Sequence, residues 1–117
     1  MRKLLFAVLV GFATLAGAQS WPARAVRFIV PFPPGGSTDV AARTLAEKLT
    51  RAFGQQVVVD NRGGGGGAIG TVEAARATPD GYTLLFVADP VITLHLVVKN
   101  VQFDMQRDFS AITQVTT

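Results

Sequence analysis

Apolar positions fall into separate blocks whose spacing changes from one to the next. Residues 4–15 (LLFAVLVGFATL) form an unbroken apolar run. Residues 26–32 (VRFIVPF) are β-branched and aromatic, as suits a buried strand, and Pro33-Pro34-Gly35-Gly36 stops them. Ala41, Leu45, Leu49, Ala52 and Phe53 then recur at helical spacing, with Glu47 and Arg51 paired at i,i+4 on a more polar side. Ser37 and Thr38 are N-cap types, Asp39 suits a helix N-terminus, and Gly54 takes the C′ position. Residues 56–60 (QVVVD) predict a second strand, apolar enough to be covered on both faces. Gly63 to Gly67 must be loop, since five consecutive glycines cannot offset their entropy in a helix or strand. Helical spacing resumes over 68–77 through Ile69 and Val72, and Thr78-Pro79-Asp80-Gly81 is a turn. Residues 82–87 (YTLLFV) predict a third buried strand. Residues 91–98 fit either a short helix or an extended piece, 103–109 read as irregular, and 110–117 (SAITQVTT) as a fourth strand.

The order β-α-β-α-β implies parallel strands with right-handed crossovers: an α/β fold, three-layer α/β/α, on a mostly parallel sheet. The chain stops inside the predicted fourth strand, with no helix to cover its face, so an incomplete domain is expected.

The first block changes how composition is read. Met1, Arg2 and Lys3 precede the apolar run of 12, and Ala16-Gly17-Ala18 follows as an A-x-A site. This is the pattern of an export signal cleaved after Ala18, too short for a stable membrane anchor. The expected organisation is signal peptide 1–18 and domain 19–117, with the product in the periplasm. Removing the signal lowers the formal charge from +3 to +1. A chain so nearly neutral has no electrostatic footprint for nucleic acid. Zero cysteines exclude disulfides, thiolate metal sites and a lipid anchor on cysteine; one histidine, His95, excludes multi-histidine metal sites. No cofactor, metal site or catalytic constellation is expected, and the protein is not read as an enzyme.

Candidate chemistry lies in loops at the carboxyl ends of the strands, where open α/β sheets bind ligands. Three such loops are predicted, at 33–39, 61–68 and 88–93. The first two lead straight into helices and would bring backbone N–H groups and positive dipole ends to one edge, a cradle for a carboxylate. Both also read simply as turns. Asp39 suits either helix capping or holding a ligand-orienting water, and Arg62 either a substrate carboxylate or solvent. His95 reads as packed or surface-exposed. Gly65-x-Gly67-x-x-Gly70 matches the dinucleotide fingerprint, with Asp89 19 residues on. Four residues between Asp60 and the first of those glycines leave no tight turn, and an exported protein has no ready dinucleotide supply.

Three segments in order, P-F-x-x-G-G-S-T-D, V-x-N-R-x-G-x-G-G-x-I-G and P-D-G-Y-T-L-L, resemble the Bug-type receptors, the extracytoplasmic solute-binding components of tripartite tricarboxylate transporters. The resemblance covers 21–117. It implies the partial first lobe of a two-lobed type II periplasmic binding protein. It further implies a small organic acid, such as a di- or tricarboxylate, held by backbone groups and ordered water, with membrane transporter subunits as partners of a full-length form. Carried over residue by residue, it places ligand binding at Phe32, Gly35, Gly36, Ser37, Thr38 and Asp39, and at Gly66, Gly67 and Ala68. Ala88-Asp89-Pro90 departs from the family's small polar and glycine pattern, and an acidic Asp89 near the cleft disfavours an anion. Family members are much longer, so a truncated receptor is expected, binding weakly or not at all alone; the alternative is a non-functional or interaction-only half-receptor from a disrupted gene.

Overall fold

A computed structural model describes residues 18–116. The expected export signal lies outside the described residues, apart from Ala18. The elements are β1 (Val26–Val30), α1 (Ser37–Phe53), β2 (Val57–Asn61), a 3-10 turn (Gly65–Gly67), α2 (Ala68–Arg76), β3 (Thr83–Leu85), α3 (Asp89–Ile92) and α4 (Leu94–Val97). The sheet runs β2-β1-β3 and both pairings are parallel. The α/β alternation and the parallel sheet are as expected.

Strand periodicity sorts the sheet's two faces. Val26 and Phe28 lie opposite Val57 and Val59, and Phe28 also opposite Leu84. These side chains pack with Ala46, Leu45, Leu49 and Phe53 of α1 into one core. Residues of the other parity, Arg27 and Asp60, face α2, where Arg27 pairs with Glu73 at 2.6 Å. A second core forms where Val91, Leu94 and Phe103 close over Phe32, Ala68 and Val72. Two helices on opposite faces of one sheet make the three layers.

Local rules account for the boundaries. Gly54 ends α1 at φ 66°, its N–H donating to the Thr50 carbonyl at 3.1 Å, as the glycine stop predicted. The start of α1 differs: Gly36 is the N-cap, and Ser37 and Thr38 are already helical. Within residues 91–98, open between helix and strand, Val91 and Ile92 end one short helix and Leu94–Val97 form another. Three strand expectations need correcting. Of the 82–87 run only Thr83–Leu85 forms β3, and it is half-buried at the other edge of the sheet. Val58 is 49% exposed, because β2 is an edge strand and α2 packs over β1 and β3 instead. Residues 110–116 form no strand and are exposed. A strand exists only through its ladder, and none of the three described strands pairs with this segment.

Candidate functional site

Parallel strands send all three loops out of one edge. Between β1 and α1 the chain runs through Pro33, Pro34 and Gly35, the last at φ 92°. Between β2 and α2, Gly64, Gly65, Gly66 and Gly67 all have positive φ, from 59° to 122°, a path that side chains rarely permit. The two loops touch: a Cβ at Gly63 would sit 3.2 Å from the Pro33 nitrogen. The third segment packs on the second, with Leu94 Cδ1 3.4 Å from the Cβ position of Gly66 and Val91 against that of Gly67. The structure therefore brings together all three loops read from the sequence.

Each of the first two loops ends at a helix start without a side-chain cap. At α1 the first-turn N–H groups have no intrahelical partner, whereas at α2 the 3-10 turn already takes those of Gly67 (to Gly64, 3.1 Å), Ala68 (to Gly65) and Ile69 (to Gly64, 3.4 Å); the helix dipole makes both ends positive. Gly35, Gly36, Ser37, Gly65 and Gly66 are exposed there, Thr38 and Ala68 are half-buried, and Gly67 is buried. Phe32 is half-buried and belongs to the second core. This edge presents backbone donors with little side-chain charge, which suits a carboxylate.

Asp39 sits behind the loop. It is 3% exposed, and its carboxylate accepts the Gly35 N–H at 2.9 Å, the Arg43 Nε–H at 3.0 Å and the Asn61 Nδ2–H at 2.9 Å. Those bonds, from Arg43 first, then Gly35 and Asn61, hold its pKa down at about 2. The geometry matches neither expected role: the side chain caps no N–H of the α1 start and instead closes the loop on the Gly35 N–H, ahead of the N-cap. Asn61 Nδ2 also donates to the Phe32 carbonyl at 3.1 Å, and Asn61 Oδ1 accepts from Arg43 Nη2 at 2.9 Å. Sequence reasoning passed over both Arg43 and Asn61 as functional residues. The i,i+4 spacing of Asp39 and Arg43 was a usable signal; Asn61 offered none outside the family-like motif.

Other candidates resolve differently. Arg62 is neither free in solvent nor aimed at a ligand: its Nε donates to Asp60 Oδ1 at 3.0 Å and lies 3.5 Å from Glu73 Oε2. Arg27 joins the same two acids, completing an ion-pair cluster under α2. His95 is exposed on α4, with Nδ1 3.0 Å from the Ile92 carbonyl oxygen. Asp89 is exposed in the first turn of α3. The fingerprint-like glycines serve packing: at Gly70 a Cβ would meet the Arg62 carbonyl oxygen at 2.6 Å and Pro31 Cα at 2.9 Å. Among the described residues no three His, Asp or Glu side chains cluster as metal ligands, and no helix is long and apolar enough to cross a membrane.

Comparison with known proteins converges on one family. A sequence model of the tripartite tricarboxylate transporter family receptor matches residues 41–117. Protein BugT of Bordetella pertussis is 54% identical over 81 residues, which are 69% of this chain and 25% of BugT. A solved structure of R. palustris Rpa4515 with adipate is 40% identical, with a TM-score of 0.67, over 72% of this chain and 28% of that one. The periplasmic binding protein BugD is 54% identical, with a TM-score of 0.54, over 56% of this chain and 22% of its own. The chain thus spans about a quarter of the length of these relatives.

Proposed function

The chain belongs to the tripartite tricarboxylate transporter family receptors, and on that premise we propose that it contributes the carboxylate-binding wall of a periplasmic solute receptor. The family is one of receptors, so the task is capture and not catalysis. The ligand class is a small organic acid of the adipate kind, and the partners of a full-length form are membrane transporter subunits. Residues 19–117 form part of the first lobe, after a signal peptide 1–18 that is removed beyond Ala18. A mass for the exported protein that retains Met1 would contradict that cleavage.

One observation carries the reading. Two uncapped helix starts stand side by side at one sheet edge, locked together through Asn61. The N–H groups of Gly36, Ser37 and Thr38 are offered to one side of a carboxylate and that of Gly66 to the other, directly or through water, while Gly35, Gly67 and Ala68, whose N–H groups are taken by Asp39, Gly64 and Gly65, shape the wall around it. Phe32 supplies apolar wall, and Asp39 supports the first loop from behind. A cradle of backbone donors needs no arginine of its own, which agrees with Arg62 being committed to Asp60 and Glu73.

The test is an NMR titration of the 15N-labelled protein with adipate, malate and citrate. Saturable shifts centred on the amides of residues 35–38 and 66–68 are expected. Saturable shifts confined to other regions, or none in either loop, would overturn the assignment.

A further inference from the structure

The proposed cradle needs two loops from different strands to keep one spacing, and their own backbones do not enforce it. Contact at Pro33 and Gly63 is van der Waals only, and Gly64 to Gly67 carry no side chains. Among the described residues the side chain that joins the two loops is that of Asn61. It is the last residue of β2, paired with Val30 at the end of β1, and the next N–H, of Arg62, donates to the Val30 carbonyl at 2.8 Å. Its base is therefore fixed in the sheet. Its amide reaches the Phe32 carbonyl, the Asp39 carboxylate and the Arg43 guanidinium together.

We infer that Asn61 is a positioning residue for the carboxylate cradle: it sets the spacing of the two binding loops and holds Asp39 inward, away from the ligand. The inference rests on the reading of the cradle given above. The geometry asks for two donors toward two acceptors and one acceptor toward an arginine. A primary amide supplies that set on one short side chain. A flipped amide would turn its oxygen on a carbonyl and a carboxylate, so the network itself fixes the orientation. Aspartate at 61 could not donate, leucine could do neither, and glutamine would move the amide outward by one carbon.

Asp39 explains why the clamp matters. A carboxylate three residues past an N-cap is placed to reach back to the free N–H groups of the helix start. If it took those of Gly36, Ser37 or Thr38 it would occupy the cradle and repel an incoming anion. Arg43 and Asn61 hold it against Gly35 instead, with its charge balanced.

Asn61→Asp, Asp39→Asn and the double exchange test this. Either single change spoils the contact between 39 and 61, by opposing two carboxylates or two amide N–H groups. The exchange restores one N–H···O bond between them and still gives Arg43 a carboxylate. Two readouts are taken: the half-saturating adipate concentration at each loop's amides, and hydrogen exchange of the Gly35 N–H without ligand. Each single variant is expected to raise half-saturation by roughly tenfold or more and to give the two loops different midpoints. Each should also speed Gly35 exchange; the double exchange should recover most of the Gly35 protection and part of the affinity, since a carboxylate at 61 still cannot donate to the Phe32 carbonyl. Singles that match wild type, or a double no better than the worse single, would overturn the clamp. A wild-type protein without saturable loop shifts would instead refute the cradle. Gly35 exchange would then still decide the clamp.

Discussion

Gly36 and Asp39 stand three residues apart and answer to different physics. Gly36 has ordinary extended angles, φ −78° and ψ 171°, and a Cβ there would meet only the Pro33 carbonyl oxygen, at 3.9 Å. Gly36→Val is therefore tolerated by the fold, at about 1 kcal/mol for an unfavourable N-cap residue. It should still weaken adipate binding at least tenfold, by filling the approach to the N–H groups behind it. Paired melting curves and titrations check both halves, and unchanged affinity would remove Gly36 from the site. Asp39 sets a pH response. Its folded pKa of about 2 lies below the ordinary 3.8, so its contribution to stability is complete above about pH 4 and is lost as pH falls through about 2. Asp39→Ala should destabilise the protein at neutral pH, with a melting temperature that falls less steeply between pH 4 and 2 than in wild type. Other carboxylates share the acid limb. Burial pushes Asp60 up, but hydrogen bonds from Arg27 and Arg62 overcome it and keep that group low, so the slope is reduced in the variant and not abolished.

At the scale of elements, α2 is held close to the sheet by the absence of a side chain. Gly70 lies in its first turn, directly over Pro31 and Arg62. Alanine is the better helix former by about 1 kcal/mol. Both crowded atoms are backbone, however, and overpacking of this kind costs about 1–3 kcal/mol. Gly70→Ala is thus expected to destabilise by about 1–2 kcal/mol and to shift the amides of Pro31's neighbours and of Arg62. A stabilised variant in urea denaturation would show that α2 is free to move away. The 110–116 segment makes the complementary point: its alternating β-formers suit a strand, yet a strand's hydrogen bonds belong to a pair.

For the molecule as a whole, the proposed role as one wall of a cleft predicts a weak complex. Small-molecule sites bury most of their ligand's surface, and the proposed cradle would meet one end of a dicarboxylate. Forgoing even ~4 kcal/mol of contacts from an opposite wall weakens binding about a thousandfold. Calorimetry on residues 19–117 with adipate should give a millimolar dissociation constant or weaker. Micromolar affinity would show that this wall suffices alone.

Much of this was determined locally and was legible in sequence. Periodicity placed α1 and α2 because an amphipathic helix writes its buried face every three or four residues, and Gly54 stopped α1 where only a left-handed residue closes the turn. The two glycine-rich loops were legible because their backbone paths nearly exclude side chains. The direction of a side chain at the start of α1 was not. Asp39 reads as a cap or a ligand contact until Asn61, 22 residues away, is brought to its carboxylate by the pairing of β2 with β1. The packing of α2 set Glu73 beside Arg62, already next to Asp60, and made it an ion-pair partner and not a ligand group, while the strand order left Val58 on an open edge and gave 110–116 no ladder. Helix faces, stops and loop backbones depend on neighbours in sequence; hydrogen-bond partners and strand edges depend on which distant segments the sheet sets side by side.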